Sequence, residues 1–161
     1  SASVVCRATR AGAIATVDAA LATLQCEEHA DIPRAVRTYA ARSRETGLFV
    51  LLSDFLDADM ARDSLRALTP FEAAAVHVVP SALFDTPQAG SLRITDAETQ
   101  QARDLRWDDN AAAAYARRRD RLLESIPQLA TAVGVRTASV RTDRVDSDVF
   151  LRDFRAAGIV A

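Results

Sequence analysis

The pattern of apolar and polar positions along the chain predicts strands that alternate with helices. Residues 47–55 begin with glycine, continue as an unbroken apolar run and end in Ser-Asp-Phe. A run without polar alternation is typical of a central strand in a parallel sheet that is covered on both faces. Further strand-length runs lie at residues 73–79 and 135–140, and a shorter β-prone stretch lies at residues 4–8.

The intervening segments carry apolar residues at helical spacing. They are residues 13–24, 31–45, 57–68, 110–133 and 146–157. Asp31 is a candidate N-cap of the second segment, Asp57 or Asp59 of the third, and Pro127 predicts a kink or a division of the fourth. The alternation predicts one α/β domain over residues 1–161, with a three-layer, doubly wound, mostly parallel sheet of the Rossmann-like kind.

A change of pattern between residues 80 and 109 predicts a β-hairpin around residues 91–107, inserted between core elements. Its turn contains the acidic pair Asp96 and Glu98, which we interpret as solvated turn residues and not as a general acid and base. Trp107 is either an interface anchor or a core residue that packs against the following helix.

Composition restricts the classes of function. The 161 residues include 20 basic residues, all arginine, and 22 acidic residues, for a net charge of -2. This balance argues against nucleic-acid or anionic-membrane binding, and the lack of lysine excludes Schiff-base and P-loop chemistry. No apolar run reaches the length of a membrane span, and Cys6 and Cys26 do not form a disulfide framework. A cytoplasmic location is therefore expected.

The candidate chemistry centres on Asp54, which follows the apolar run of residues 47–55. In open α/β sheets the binding crevice lies outside the carboxyl ends of the strands, so Asp54 is a candidate ligand or metal contact, with Ser53, Asp57 and Asp31 as neighbours. The alternative is that Asp54 is a cap or turn residue. A hydrolase set of Ser53, His77 and Asp54 lacks the Gly-x-Ser-x-Gly turn of a nucleophile elbow.

A series of short motifs resembles a known family. The motifs are Ala30-Asp31-Ile32, Leu48 to Phe55, Val76-His77-Val78-Val79, Pro87 to Gly90, Asp96-Ala97-Glu98-Thr99, Tyr115 and Arg141-Thr142-Asp143. In this order they resemble the C-terminal part of a von Willebrand factor A-like domain. More narrowly, they resemble the bacterial domain of unknown function fifty-eight family, which is associated with MoxR-type AAA+ ATPases.

The resemblance implies an incomplete metal site. Asp54 matches the strand-end acid of a metal-ion-dependent adhesion site, which also needs an Asp-x-Ser-x-Ser loop and a threonine. The loop is absent, and Ala30 stands at the threonine position. Magnesium requires several oxygen ligands, so no cofactor is expected unless the loop is present upstream. The resemblance also implies that the first strands are missing at the N-terminus, which would leave the strand at residues 48–53 with an open edge.

The function expected from the resemblance is that of a non-enzymatic protein-interaction domain. It would act as an accessory or adaptor to a MoxR-type AAA+ ATPase in protein assembly or maturation, with self-association through the open strand edge as a further expectation. The alternative is a small α/β hydrolase or phosphoryl-transfer enzyme that uses Asp54 as its nucleophile or magnesium ligand.

Overall fold

Helices and strands alternate along the computed structural model, which describes residues 13–23, 31–42, 47–96, 99–144 and 146–160. The helices are α1 (Ala13–Ala22), α2 (Ile32–Arg42), α3 (Ala58–Ala67), α4 (Asp109–Ala132) and α5 (Ser147–Ala156). The strands are β1 (Leu48–Ser53), β2 (Glu72–Val79), β3 (Gly90–Thr95), β4 (Ala102–Trp107) and β5 (Arg136–Arg141). The predicted strand at residues 4–8, and Cys26 and Glu98, lie outside the described residues.

Three strands form a parallel sheet in the order β1-β2-β5. Parallel strands need crossover connections, and α3 joins β1 to β2 while α4 lies in the connection from β2 to β5. The α/β class and the parallel sheet predicted from the sequence are therefore confirmed. Among the described residues, no helix combines the length and the apolar character that a membrane crossing requires.

Helices cover both faces of this sheet. On one face, residues of α2, α3 and α4 pack against Ala73 and Ala75 of β2, with Leu65 and Ile126 almost completely buried. On the opposite face, Phe154 of α5 and Ile159 pack against residues of β2 and β5. The small alanine side chains of β2 allow both layers to approach the central strand closely.

The prediction that both faces of β1 are covered is wrong. Among the described strands β1 pairs with β2 alone, and its side chains alternate between partly buried and exposed. Phe49 and Leu51 face the layer that contains α2 and α3, whereas Leu52 on the other face is 63% exposed. The sequence interpretation failed here because an apolar run shows that the residues are hydrophobic, but it does not show which faces of the strand other elements cover.

The predicted hairpin is confirmed as an antiparallel pair of β3 and β4, separate from the main sheet. Trp107 is buried, and its ring meets that of Tyr115 in α4 edge to face, with 5.8 Å between the centroids. The core interpretation of Trp107 therefore applies.

Of the two predictions for Pro127, a division of the long helix is wrong, because α4 continues through Pro127 to Ala132, whereas a kink stays a prediction. Ile126 and Ala130 on either side of the proline are both fully buried, and this packing offsets the lost main-chain hydrogen bond.

Candidate functional site

The turn after β1 is held by side-chain oxygen atoms that accept main-chain hydrogen bonds. Ser53 Oγ accepts from the Phe55 amide at 3.1 Å, and Asp54 Oδ1 accepts from the Leu56 amide at 3.3 Å. Asp57 caps α3 by accepting from the amides of Asp59 and Met60 at 2.9 and 2.8 Å. Three of the four candidate site residues therefore lie within five positions of each other and shape one turn, which we call the 53–57 turn.

Asp31, the fourth candidate, belongs to another element. Its Oδ1 accepts a hydrogen bond from the Arg34 amide at 2.9 Å, so it caps α2 as the sequence predicted. Within the described ranges there is no group of three or more His, Cys, Asp or Glu residues that could hold a metal ion. The assignment of Asp54 as a metal ligand stays a prediction.

Phe55 lies at the centre of the 53–57 turn in an unusual backbone conformation. Its φ angle of 48° is in the left-handed region, which costs roughly 1–2 kcal/mol for a residue with a Cβ atom. Its side chain is only 3% exposed and belongs to the core cluster with Leu65 and Ile126. The buried ring therefore keeps the turn in a conformation that its backbone does not favour.

His77 lies beneath this turn in the middle strand of the sheet. It pairs in register with Ser53 of β1 and Ser139 of β5, and its ring meets that of Phe55 edge to face at 5.8 Å. The imidazole is fully buried, and within the described part of the chain neither ring nitrogen makes a hydrogen bond of good geometry. Ser53, His77 and Asp54 are thus brought near each other without the hydrogen bonds of a nucleophile and its base.

Burial has an electrostatic consequence for His77. Removal of the ring from water lowers the pKa of His77 below its ordinary value of 6.5, because the charged form loses its hydration. The nearby Asp54 main chain and carboxylate act in the opposite direction and are outweighed. His77 is therefore neutral in the folded protein near pH 7.

A second cluster at the carboxyl ends of β2 and β5 was not predicted from the sequence. The guanidinium groups of Arg141 and Arg119 lie 4.1 and 5.0 Å from the centroid of the Phe84 ring. Arg141 also donates two hydrogen bonds to Asp143, at 3.0 and 2.7 Å. This pairing lowers the pKa of Asp143 and raises that of Arg141. We call these four residues the Phe84 clamp.

Two hydrogen bonds beside the Phe84 clamp hold the connection that follows β2. Thr142 Oγ1 accepts a hydrogen bond from the Ser81 amide, and the Tyr115 hydroxyl donates to the Leu83 carbonyl. The sequence contained the Arg141-Thr142-Asp143 motif, but nothing in the local pattern indicated that its partner ring lies more than fifty residues earlier.

An exposed apolar surface lies along β1. Leu48, Val50 and Leu52 are 40%, 40% and 63% exposed, and we call them the β1 strip. They lie beside the outer edge of β1, which no described strand covers. A strand edge offers unpaired main-chain donors and acceptors, and β1 carries no charge or proline that would discourage pairing. An open edge at this strand was expected from the resemblance, but the exposure of these three side chains was not predicted from the sequence.

Removal of the cap at Asp57 tests its local role. We expect Asp57→Ala to lower the free energy of unfolding by about 0.5–2 kcal/mol, because two amides of the first turn of α3 lose their acceptor. Urea denaturation measures the change. Asp59→Ala is the control, since the Asp59 side chain forms an exposed ion pair with Arg62 and its loss should change stability much less. Equal effects of the two variants would contradict the capping role.

These features define a mixed α/β domain built on a three-stranded parallel sheet. The family model described as "Protein of unknown function DUF58" matches residues 6–122, and the chain therefore belongs to that family. The matched range includes β1, β2 and the hairpin, and it ends within α4. No curated protein and no solved structure matches the chain.

Proposed function

We propose that this chain is a non-enzymatic protein-interaction domain that docks its partner along β1. The observation that carries the proposal is the β1 strip beside an edge that no described strand covers. A partner segment that adds a strand to this edge satisfies the main-chain groups, and its side chains cover the apolar surface. Affinity then comes from the strand pairing, and specificity comes from the side chains that meet the strip.

The local roles of the polar candidates support an interaction function over bond making. Ser53, Asp54 and Asp57 accept amide hydrogen bonds that shape the 53–57 turn. His77 is fully buried beneath that turn, which leaves it badly placed to exchange protons with a substrate. The 53–57 turn thus positions the end of the docking strand.

The resemblance to the von Willebrand A-like domains associated with MoxR-type ATPases suggests the partner. We propose that the chain is an accessory or adaptor of a cytoplasmic MoxR-type AAA+ ATPase that acts in protein assembly or maturation. The net charge of -2 favours a protein surface over a nucleic acid as the partner.

A charged residue on the β1 strip tests the proposal. We expect Leu52→Glu to weaken binding to the purified MoxR-type ATPase of the same organism at least tenfold, because it places a charge in an apolar contact. Leu151→Glu is the matched control, since Leu151 is a comparably exposed leucine on α5. Titration calorimetry measures both affinities, and an unchanged affinity of Leu52→Glu would overturn the proposed docking site.

Other outcomes assign other functions. A wild-type dimer that Leu52→Glu converts to a monomer would assign the edge to a second copy of the chain. Magnesium-dependent hydrolysis of a phosphate ester that Asp54→Asn abolishes would establish the enzymatic alternative.

A further inference from the structure

A second uncovered apolar surface lies on α1. Ile14, Val17 and Leu21 are 86%, 40% and 59% exposed, and we call them the α1 stripe. Their spacing of three and four residues places them on one side of the helix. An apolar side of this kind is typical of a helix that packs on other elements. No residue of α1 is buried, however, so the described residues provide no surface that covers this side.

The described helices that cover this face of the sheet leave the β1 strip uncovered. Val50 and Leu52 pair in register with Ala74 and Val76, so they lie on the side of the sheet that α5 covers. That apolar cluster contains residues of β2, β5 and α5 and none of β1. The opposite face of β1 is already occupied, since Tyr39 of α2 meets Phe49 edge to face at 5.5 Å.

The dimensions of the two surfaces agree. The stripe extends over seven residue steps of helix, which is about 10 Å, and the strip over four residue steps of strand, which is about 13 Å. Three apolar side chains on each element can therefore meet along their full lengths.

The connection between α1 and α2 is long enough for α1 to reach this face. Eight residue steps separate Thr23 from Asp31 and can span about 26 Å when extended. Layers pack about 10 Å apart, so a path from the α2 layer around the edge of β1 to the other face needs about 20 Å. The path crosses no described strand, because β1 is the edge of the described sheet.

We propose that α1 is an intramolecular cover that docks the α1 stripe on the β1 strip and competes with the partner for it. The proposal rests on the function proposed above, because it adds regulation to the same surface. In the covered form the apolar side chains are protected from water, and the partner gains access only when α1 leaves. The apparent affinity for the partner is then the intrinsic affinity multiplied by the fraction of molecules in which α1 is undocked.

A disulfide trap tests the contact itself. In a chain that carries Cys6→Ser and Cys26→Ser, the pair Val17→Cys and Val50→Cys should form an intramolecular disulfide under mild oxidation. The control pair is Ala19→Cys with Val50→Cys, because Ala19 lies on the side of α1 opposite the stripe. We expect at least tenfold less crosslinking in the control, as read by non-reducing electrophoresis.

The same gel distinguishes the alternatives. A disulfide-linked dimer of the Val17→Cys and Val50→Cys chain would overturn the intramolecular cover in favour of a second copy. Equal crosslinking of both pairs, or none, would also overturn it.

Binding measurements separate this proposal from the proposed function. Combined replacement of Ile14, Val17 and Leu21 by alanine keeps helix propensity and removes the stripe. If the covered form holds nine-tenths of the molecules, this variant should bind the MoxR-type ATPase about tenfold more tightly. An unchanged affinity would refute competition even where Leu52→Glu abolishes binding. Conversely, a disulfide at the expected pair with no effect of Leu52→Glu would leave the cover standing and refute the docking site.

Discussion

Replacement of Phe55 by alanine is expected to lower the free energy of unfolding by about 3–5 kcal/mol. The ring is buried in the core cluster beside α3, and it also meets His77. Its removal leaves a cavity between the 53–57 turn and the sheet. Urea denaturation at pH 7.5 with an unchanged m value measures the loss.

Glycine at the same position should be better tolerated than alanine. Alanine retains the strain of the left-handed conformation at φ 48°, whereas glycine adopts it freely. The strain relieved, about 1–2 kcal/mol, exceeds the extra unfolded-state entropy of glycine, about 0.4–1 kcal/mol. Phe55→Gly should therefore be more stable than Phe55→Ala by about 0.5–1 kcal/mol.

The adjacent residue provides the control for both variants. Leu56 is 49% exposed, so Leu56→Ala should change stability by no more than about 0.5 kcal/mol. A Phe55→Ala variant as stable as Leu56→Ala would contradict the role of the buried ring. An alanine variant more stable than the glycine variant would contradict the strain.

Stability is expected to decrease in mild acid because of His77. Its pKa is lowered in the folded protein by burial and returns to about 6.5 in the unfolded chain. As the pH falls, the unfolded chain therefore takes up the proton first. Above about pH 6.5 His77 is neutral in both states and does not lower stability. Below that pH the free energy of unfolding decreases by up to about 1.4 kcal/mol per pH unit, until the pH reaches the pKa of His77 in the folded protein.

His77→Leu isolates this contribution. The substitution replaces a buried imidazole without well-formed hydrogen bonds by an apolar side chain of similar size. We expect stability near or above wild type at pH 7.5, and a flatter dependence between pH 6.5 and 5. Thermal denaturation of both proteins across this range makes the comparison. Parallel pH profiles would show that His77 does not carry the acid sensitivity.

The alternation of periodicities predicted the class of fold and most element positions. The α2 and α3 caps at Asp31 and Asp57 were recognisable because capping depends on residues close in sequence. The exposure of Leu48, Val50 and Leu52 was not recognisable, because it depends on where α5 packs. The continuation of α4 through Pro127 was not recognisable for a similar reason, since the burial of Ile126 and Ala130 is a tertiary property.

The candidate site could likewise be predicted only where its residues are close in sequence. Ser53, Asp54 and Asp57 lie together at the end of β1, which the sequence could show because they are close in the chain. The contact of His77 with Phe55 and the pairing of Phe84 with Arg119 and Arg141 join residues that are distant in sequence. A single sequence carries no local signal for such contacts.

The Phe84 clamp and the 53–57 turn both lie at the carboxyl ends of the parallel strands, but they respond differently to acid. Arginine remains charged at every physiological pH, and the pKa of Asp143 is lowered by Arg141, so the clamp persists when the medium becomes mildly acidic. The 53–57 turn instead lies on a histidine whose protonation opposes its burial. Mild acid is therefore expected to destabilise the β1 side of this end of the sheet before the side that carries the Phe84 clamp.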